Sequence, residues 1–261
     1  MRVEFNKKNL LITVSMFHVA SYDLAELSKQ VDFINVVRTY ELHSYNQKLT
    51  GHFSNSNTSY PYNVEKAIDV LIEKGADASK LVLGISFQAK TSKLKEECDS
   101  GIGKETTGEG GEPGEYTQTS GVLAYYEVCS VRWSNRVCTS KSSAKAPYGV
   151  SGSDFIAYDD EESIATKVYT LVIGKKLKGV MFWTLEFDDF TGTQCRGPKY
   201  PLVKAAINTL KGDPVTPKCH NVNNCLKPTI PRDKFYRICY FTNWAQYRTC
   251  LLYTSPSPRD S

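Results

Sequence analysis

The sequence predicts an α/β protein built on parallel strands, and three observations predict it. Short β-prone runs alternate with segments of helical spacing. The runs are apolar throughout rather than alternating, as in strands covered on both faces. Polar groups collect directly after two of them, at the C-terminal ends where sites of parallel α/β proteins lie.

Leu10-Leu11-Ile12-Thr13-Val14 reads as the first strand, and a short helix follows from Asp23 to about Gln30. The second strand, Asp32 to Val37, runs straight into Arg38-Thr39-Tyr40-Glu41. Asn63 caps a helix whose Val64, Ala67, Ile68 and Leu71 fall at helical spacing, and Gly75 ends it. Leu81 to Ile85 is the third strand, and right-handed crossovers join such units.

The alternation then breaks. From about Ser92 to Ser153 the chain is rich in Gly, Ser, Thr and Lys and reads as an insertion, with Val122 to Tyr126 as its most apolar piece. Phe155 to Tyr158 leads into Asp159-Asp160-Glu161-Glu162-Ser163, where an Asp caps a helix reaching about Lys175 and the Glu residues favour its N-terminal dipole. That cap accounts for the acidic run without a catalytic pair. Val180 to Trp183 then reads as a strand buried on both faces. Trp183 stands beside Glu186, Asp188 and Asp189; an indole next to acids can be a platform for the C–H face of a sugar, or a core tryptophan with structural acids. Leu202, Val203, Ala206, Ile207 and Leu210 form the apolar face of a closing helix that Gly212 ends.

Pro214, Pro217, Pro228 and Pro231 punctuate a polar linker over 212–233. Phe235 to Phe241 reads as a new strand opening a second module over 234–248, and 249–261 carries no structural pattern and reads as a non-native tail.

The 261 residues carry a net charge of +4 with acids and bases interspersed, so no basic stripe implies nucleic acid. No apolar run approaches membrane-spanning length, and none serves as a signal peptide. Eight cysteines without paired Cys-x-x-Cys knuckles argue for disulfides over zinc and for an oxidising compartment. Asn57-Thr58-Ser59 is a glycosylation sequon consistent with secretion. By location, Cys98 is paired with Cys138 and Cys219 with Cys225, while His43, His52 and His220 read as loop histidines.

Five ordered blocks, Asp32–Tyr40, Lys80–Ile85, Gly121–Cys129, Tyr158–Ser163 and Gly179–Asp189, resemble the family-eighteen glycoside hydrolases, the animal-type chitinases and chitinase-like lectins. The resemblance covers about Met1 to Leu210, and Tyr236 to Arg248 is similar to the first strand of the same fold. It implies a partial (β/α)8 TIM barrel, strands five to eight, formed by 1–91 and 154–211, with 92–153 as an α+β insertion domain between strands seven and eight. The chain is then a fragment of a secreted, tandem chitinase, an extracellular protein.

The family's proton donor is the Glu of an Asp-x-x-Asp-x-Asp-x-Glu motif, and no such motif stands in this sequence. In the family the substrate's acetamido oxygen attacks the anomeric carbon in place of an enzyme nucleophile. No catalytic residue is therefore assigned, and the chain alone is expected to be inactive. Its partner is expected to be chitin or a chito-oligosaccharide. The resemblance implies no cofactor and no metal, and sets no oligomeric state.

By the resemblance, the substrate-binding residues are Tyr40, Glu41, Lys90, Met181 and Trp183. The family's Met-x-Tyr-Asp aligns with Arg38-Thr39-Tyr40-Glu41, so Arg38 and Glu41 depart from it. Its Tyr-Gly-Arg aligns with Gln88-Ala89-Lys90, which replaces a bidentate guanidinium by a point charge. Trp183 matches the floor of the central subsite and Met181 lines it. Cys129 and Cys195 align with a family disulfide. The four departures also fit a chitinase-like lectin that binds without hydrolysing. A small α/β protein complete from Met1 is a third reading, in which four strands would lack a covered edge.

Overall fold

A computed structural model describes residues 2–16, 22–37, 49–52, 54, 63–97, 101–139, 141–213, 219 and 222–223. Among them two sheets are formed. The first consists of β1 (Thr13–Met16), β2 (Phe33–Val36), β3 (Leu81–Ser86) and β9 (Gly179–Trp183), in the order β1-β2-β3-β9 and parallel throughout. The second is antiparallel in the order β10-β6-β7-β8-β4-β5, from β4 (Gln88–Lys93), β5 (Val122–Ala124), β6 (Asn135–Val137), β7 (Tyr148–Ser151), β8 (Asp154–Ala157) and β10 (Val222–Asn223). It therefore reaches beyond 92–153 on both sides, and takes in two residues of the stretch read as a linker.

The helices form where the local chemistry directs. Asp23 caps α2 (Leu24–Gln30) by accepting the Glu26 N–H, and Asn63 caps α3 (Val64–Glu73) by accepting that of Lys66. Gly75 then turns the chain at φ +94°, where an added Cβ would meet Ala25 at 3.0 Å. Asp160 caps α5 (Glu161–Lys167), which continues as a π-helical stretch over Val168–Ile173. Pro201 opens α6 (Pro201–Lys211), and Gly212 closes it at φ +85°. Among the described residues no helix is long and apolar enough to cross a membrane.

Several expectations need correction. The first strand begins at Thr13; Leu10 and Leu11 are exposed, and a short helix α1 (Arg2–Lys7) precedes them, held by Arg2 donating to Asp32 at 2.9 Å. β9 is not buried on both faces. It hydrogen-bonds only to β3 among the described residues, so Val180 to Phe182 are half-buried and Trp183 is 50% exposed. On α6 the buried residues are Leu202, Ala205, Ala206 and Thr209, whereas Ile207 and Leu210 face out. Cys138 bonds Cys219, so neither Cys98–Cys138 nor Cys219–Cys225 forms. The pairing of β10 with β6 explains this, since it lays Val222 beside Arg136 and brings Cys219 to Cys138 with a Cα separation of 5.8 Å. The second-module segment lies outside the described residues.

One residue joins the sheets. Phe87 separates β3 from β4, donates its N–H to the Trp183 carbonyl at 3.0 Å, and stacks on Phe182 with ring centroids 5.0 Å apart. Its side chain is 1% exposed in the core with Ile85, Ala89, Ile156 and Phe187. Phe87→Ala is expected to lower stability by about 3–5 kcal/mol, and Phe87→Leu by clearly less. Urea denaturation of the two variants measures both, and equal losses would show that ring stacking and volume are not what the joint needs.

Candidate functional site

β9 brings its last residues to the C-terminal end of the parallel sheet, in register with Ser86 of β3 at Trp183. Alternation along the strand puts Gly179, Met181 and Trp183 on one face and Val180 and Phe182 on the other. Val180 and Phe182 pack into the main core, while Met181 packs on a second cluster of Val37, Leu94, Val150, Phe155 and Ala157. Trp183 extends past that cluster with half its surface open. The Trp183–Thr184 peptide is cis.

Lys90 stands on β4, half-buried, with Val122 and Ala157 as its register partners. Ala157 belongs to the cluster under Met181, so Lys90 and Met181 sit on adjoining parts of the same junction between the sheets. Gln88 begins β4, its N–H bonded to Ser86 Oγ at 3.1 Å. Tyr40 and Glu41, with Arg38, lie outside the described residues, as do His43 and His220. His52 is buried, edge-on to Tyr148 at 5.4 Å.

Of the acids beside Trp183, Asp188 and Asp189 hold the backbone that follows the strand, while Trp183 itself is no core residue. Asp188 is fully buried; its Oδ1 accepts the N–H groups of Asp189 at 2.8 Å and Leu202 at 3.3 Å, and its Oδ2 that of Val203 at 3.1 Å, which ties the strand's exit to the start of α6. Asp189 accepts from Thr191 Oγ1, Gly192 N and Cys195 N at 2.8 to 2.9 Å, and so folds the following loop. Cys195 in that loop is disulfide-bonded to Cys129, which ends the short helix α4 (Tyr125–Val128) after β5, so the loop is anchored there. Glu186 stays half-buried in a single helical turn.

In the acidic run before α5, Asp159 and Asp160 serve the start of the helix. Asp160 Oδ1 accepts Ser163 N–H at 2.8 Å and Thr139 Oγ1–H at 2.8 Å. Asp159 accepts the Lys167 ammonium at 2.5 and 2.6 Å, both side chains 1% exposed, and Lys167 also donates to Ser54 at 2.9 Å. Burial pulls the Lys167 ammonium below its ordinary pKa against the pull of Asp159. No sequence signal distinguishes Lys167, eight residues along the same helix, as the partner of Asp159 until the helix itself is assumed. Among the described residues no group of three or more His, Cys, Asp or Glu side chains is placed to hold a metal ion.

Fold and site together describe an α/β protein whose solvent-facing tryptophan closes a parallel strand beside an antiparallel sheet. The chain belongs to the glycosyl hydrolases family 18, whose model matches residues 1–188. It is 34% identical over 224 residues to mouse chitotriosidase-1, covering 81% of this chain and 47% of that protein. It is 35% identical over 199 residues to human chitinase-3-like protein 2, covering 73% of this chain and 50% of that one. Among solved structures, human YKL-39, described as a pseudo-chitinase with retained chitooligosaccharide binding properties, superposes with a TM-score of 0.73 at 32% identity, over 80% of this chain and 62% of that one. The chain thus spans about half the length of the two sequence relatives it matches.

Burial sets the pH response. Desolvation pushes the carboxyls of Asp160 and Asp188 up from about 3.8 to about 6, outweighing the N–H groups they accept. Between about pH 4 and 6 the folded chain keeps protons that the unfolded chain has released. Stability therefore falls as pH rises through that window, by up to about 1.4 kcal/mol per pH unit for each group, and levels off above it. Denaturation midpoints measured from pH 4 to 7 are expected to show this descent, and Asp188→Asn to flatten part of it. A midpoint that rises across the window instead would contradict the assignment.

Proposed function

We propose that this chain forms the C-terminal half of a chitinase barrel, with β1, β2, β3 and β9 as strands five to eight of a (β/α)8 barrel and the antiparallel sheet as its α+β insertion. Its ligand is chitin or a chito-oligosaccharide, a polymer of β-1,4-linked N-acetylglucosamine, and the parent protein is secreted and hydrolytic. The observation that carries this reading is Trp183, half exposed at the C-terminal end of a parallel strand in a family-18 chain. A rigid indole offers a sugar ring a flat apolar face at little cost in conformational freedom. Met181 lines the floor beneath it, Lys90 donates from the wall, and Tyr40 and Glu41 hold the acetamido group. The two disulfides support export to an oxidising compartment.

In this reading the chain supplies one wall of the cleft and no proton donor. The acid motif is absent from the sequence, and the substrate-assisted route needs an acid to protonate the leaving oxygen. The chain alone therefore binds without turning over.

A second reading, a chitinase-like lectin, is favoured by Arg38, Glu41, Gln88 and Lys90, where the family pattern has Met, Asp, Tyr and Arg, and by the likeness to YKL-39. The two readings part when the chain is joined to the acid-bearing half of mouse chitotriosidase-1: a hydrolase wall restores turnover, whereas a lectin wall restores binding alone.

The purified chain is expected to bind chitohexaose in calorimetry, with Trp183→Ala weakening it roughly tenfold or more. It is expected to leave a chromogenic chito-oligosaccharide uncleaved. Turnover by the pure chain would overturn this reading, as would an affinity that Trp183→Ala leaves untouched.

A further inference from the structure

A second cleft lies apart from the tryptophan. Its volume is about 610 Å³, and Tyr125, Arg136, Asp160, Glu161, Gln194 and Arg196 bound it. Cys129, Cys195 and Cys219 stand in its wall, so both disulfides frame it, and Lys90, Met181 and Trp183 take no part. The volume falls in the ordinary range of small-molecule sites, about 300–1,000 Å³.

Four of its polar side chains, Asp160, Glu162, Arg136 and Gln194, are left half-used in opposite senses. Asp160 is 3% exposed; Oδ1 takes both of its hydrogen bonds, and Oδ2 takes none. Glu162, also in the lining, has a buried Oε2 without a donor. Across from them, Arg136 spends Nε on the Tyr158 hydroxyl at 2.7 Å and lies over the rings of Trp133 and Tyr158 at 5.1 and 5.6 Å. Both of its Nη groups remain as donors. Gln194 accepts from Ser130 at 2.9 Å through Oε1, which leaves its NH₂. Tyr125, buried between the two sides, donates to Glu161 at 3.3 Å.

Acceptors without donors beside donors without acceptors match a hydroxyl, which does both at once. An anion would meet three carboxylates, and an apolar ligand would leave Asp160 Oδ2 unsatisfied. We propose that this cleft is a second carbohydrate site, which takes the vicinal hydroxyls of one or two sugar residues between the Asp160–Glu162 turn and the Arg136 guanidinium. It is separate from the Trp183 surface and does not require that surface to bind.

The full chain, labelled with ¹⁵N, is titrated with N,N′-diacetylchitobiose and followed by NMR. Saturable shifts are expected at the amides of Ser130, Glu161 and Gln194, in the parent chain and equally in Trp183→Ala. Glu162→Gln and Gln194→Ala, both at half-buried positions outside the core, are expected to weaken binding at these amides roughly tenfold and to leave the Trp183 indole response unchanged. Absence of saturable shifts at the three amides overturns the proposal, as does their disappearance in Trp183→Ala, which would mean a single site. Cleft shifts that persist while the indole never responds uphold the second site and tell instead against the proposed function of Trp183.

Discussion

Phe87 is the constraint on which the remaining architecture depends. A parallel sheet and an antiparallel sheet share no hydrogen-bond pattern, so a chain that passes from one into the other must turn within a short span and still satisfy its backbone groups. Here the span is one residue. Its N–H is satisfied by the Trp183 carbonyl, and its ring fills the space against Phe182, so the same residue that ends β3 also fixes the last residue of β9. The position of Trp183 is thus set from the neighbouring strand, not from the loop that follows it. A residue held by its own carbonyl can leave its ring in water without losing its place.

The buried acids extend this control outward. Asp188 and Asp189 are not poised for chemistry; between them they accept six hydrogen bonds, five from backbone N–H groups, and so dictate the exit from β9, the loop to Cys195 and the entry to α6. Burying carboxylates is costly, and these are tolerated because the donors are gathered around them. Asp159 follows the same logic with a different partner, the Lys167 ammonium, and losing either half would strand a buried charge.

Much of this was legible in the residues. Asp23, Asn63 and Asp160 announce their helices because a capping side chain acts on backbone two or three positions away, a local interaction that a sequence displays. Gly75 and Gly212 mark helix ends for an equally local reason. What stayed hidden depends on distant partners. The burial of β9 could not be read from Val180 to Trp183, since an apolar run looks the same whether one or two strands flank it. Cys138 and Cys219 are 81 residues apart and meet only because β10 pairs with β6, whereas Cys129 and Cys195 came from the family pattern and not from spacing. Of the proposed site residues, Trp183 stood out in its own stretch beside the acids, whereas Met181 and Lys90 came from the family pattern, because no periodicity reveals the junction of two sheets at which they stand.

The disulfides bear on that junction. They close loops of 66 and 81 residues, each lowering the entropy of the unfolded chain by the equivalent of about 4 kcal/mol on a chain-entropy estimate. Neither bond lies within the parallel sheet. Cys129–Cys195 fastens the segment after β5 to the loop after β9, whereas Cys138–Cys219 joins the end of β6 to the chain before β10, its partner within the antiparallel sheet. The parallel sheet, by contrast, has β1 and β9 as edge strands among the described residues and carries neither disulfide, so strand pairing and packing hold it. Covalent closure therefore lies within the antiparallel sheet and in the tie from its β5 end to the loop after β9. Three of the bonded cysteines, Cys129, Cys195 and Cys219, also line the second cleft, so the same bonds hold its walls.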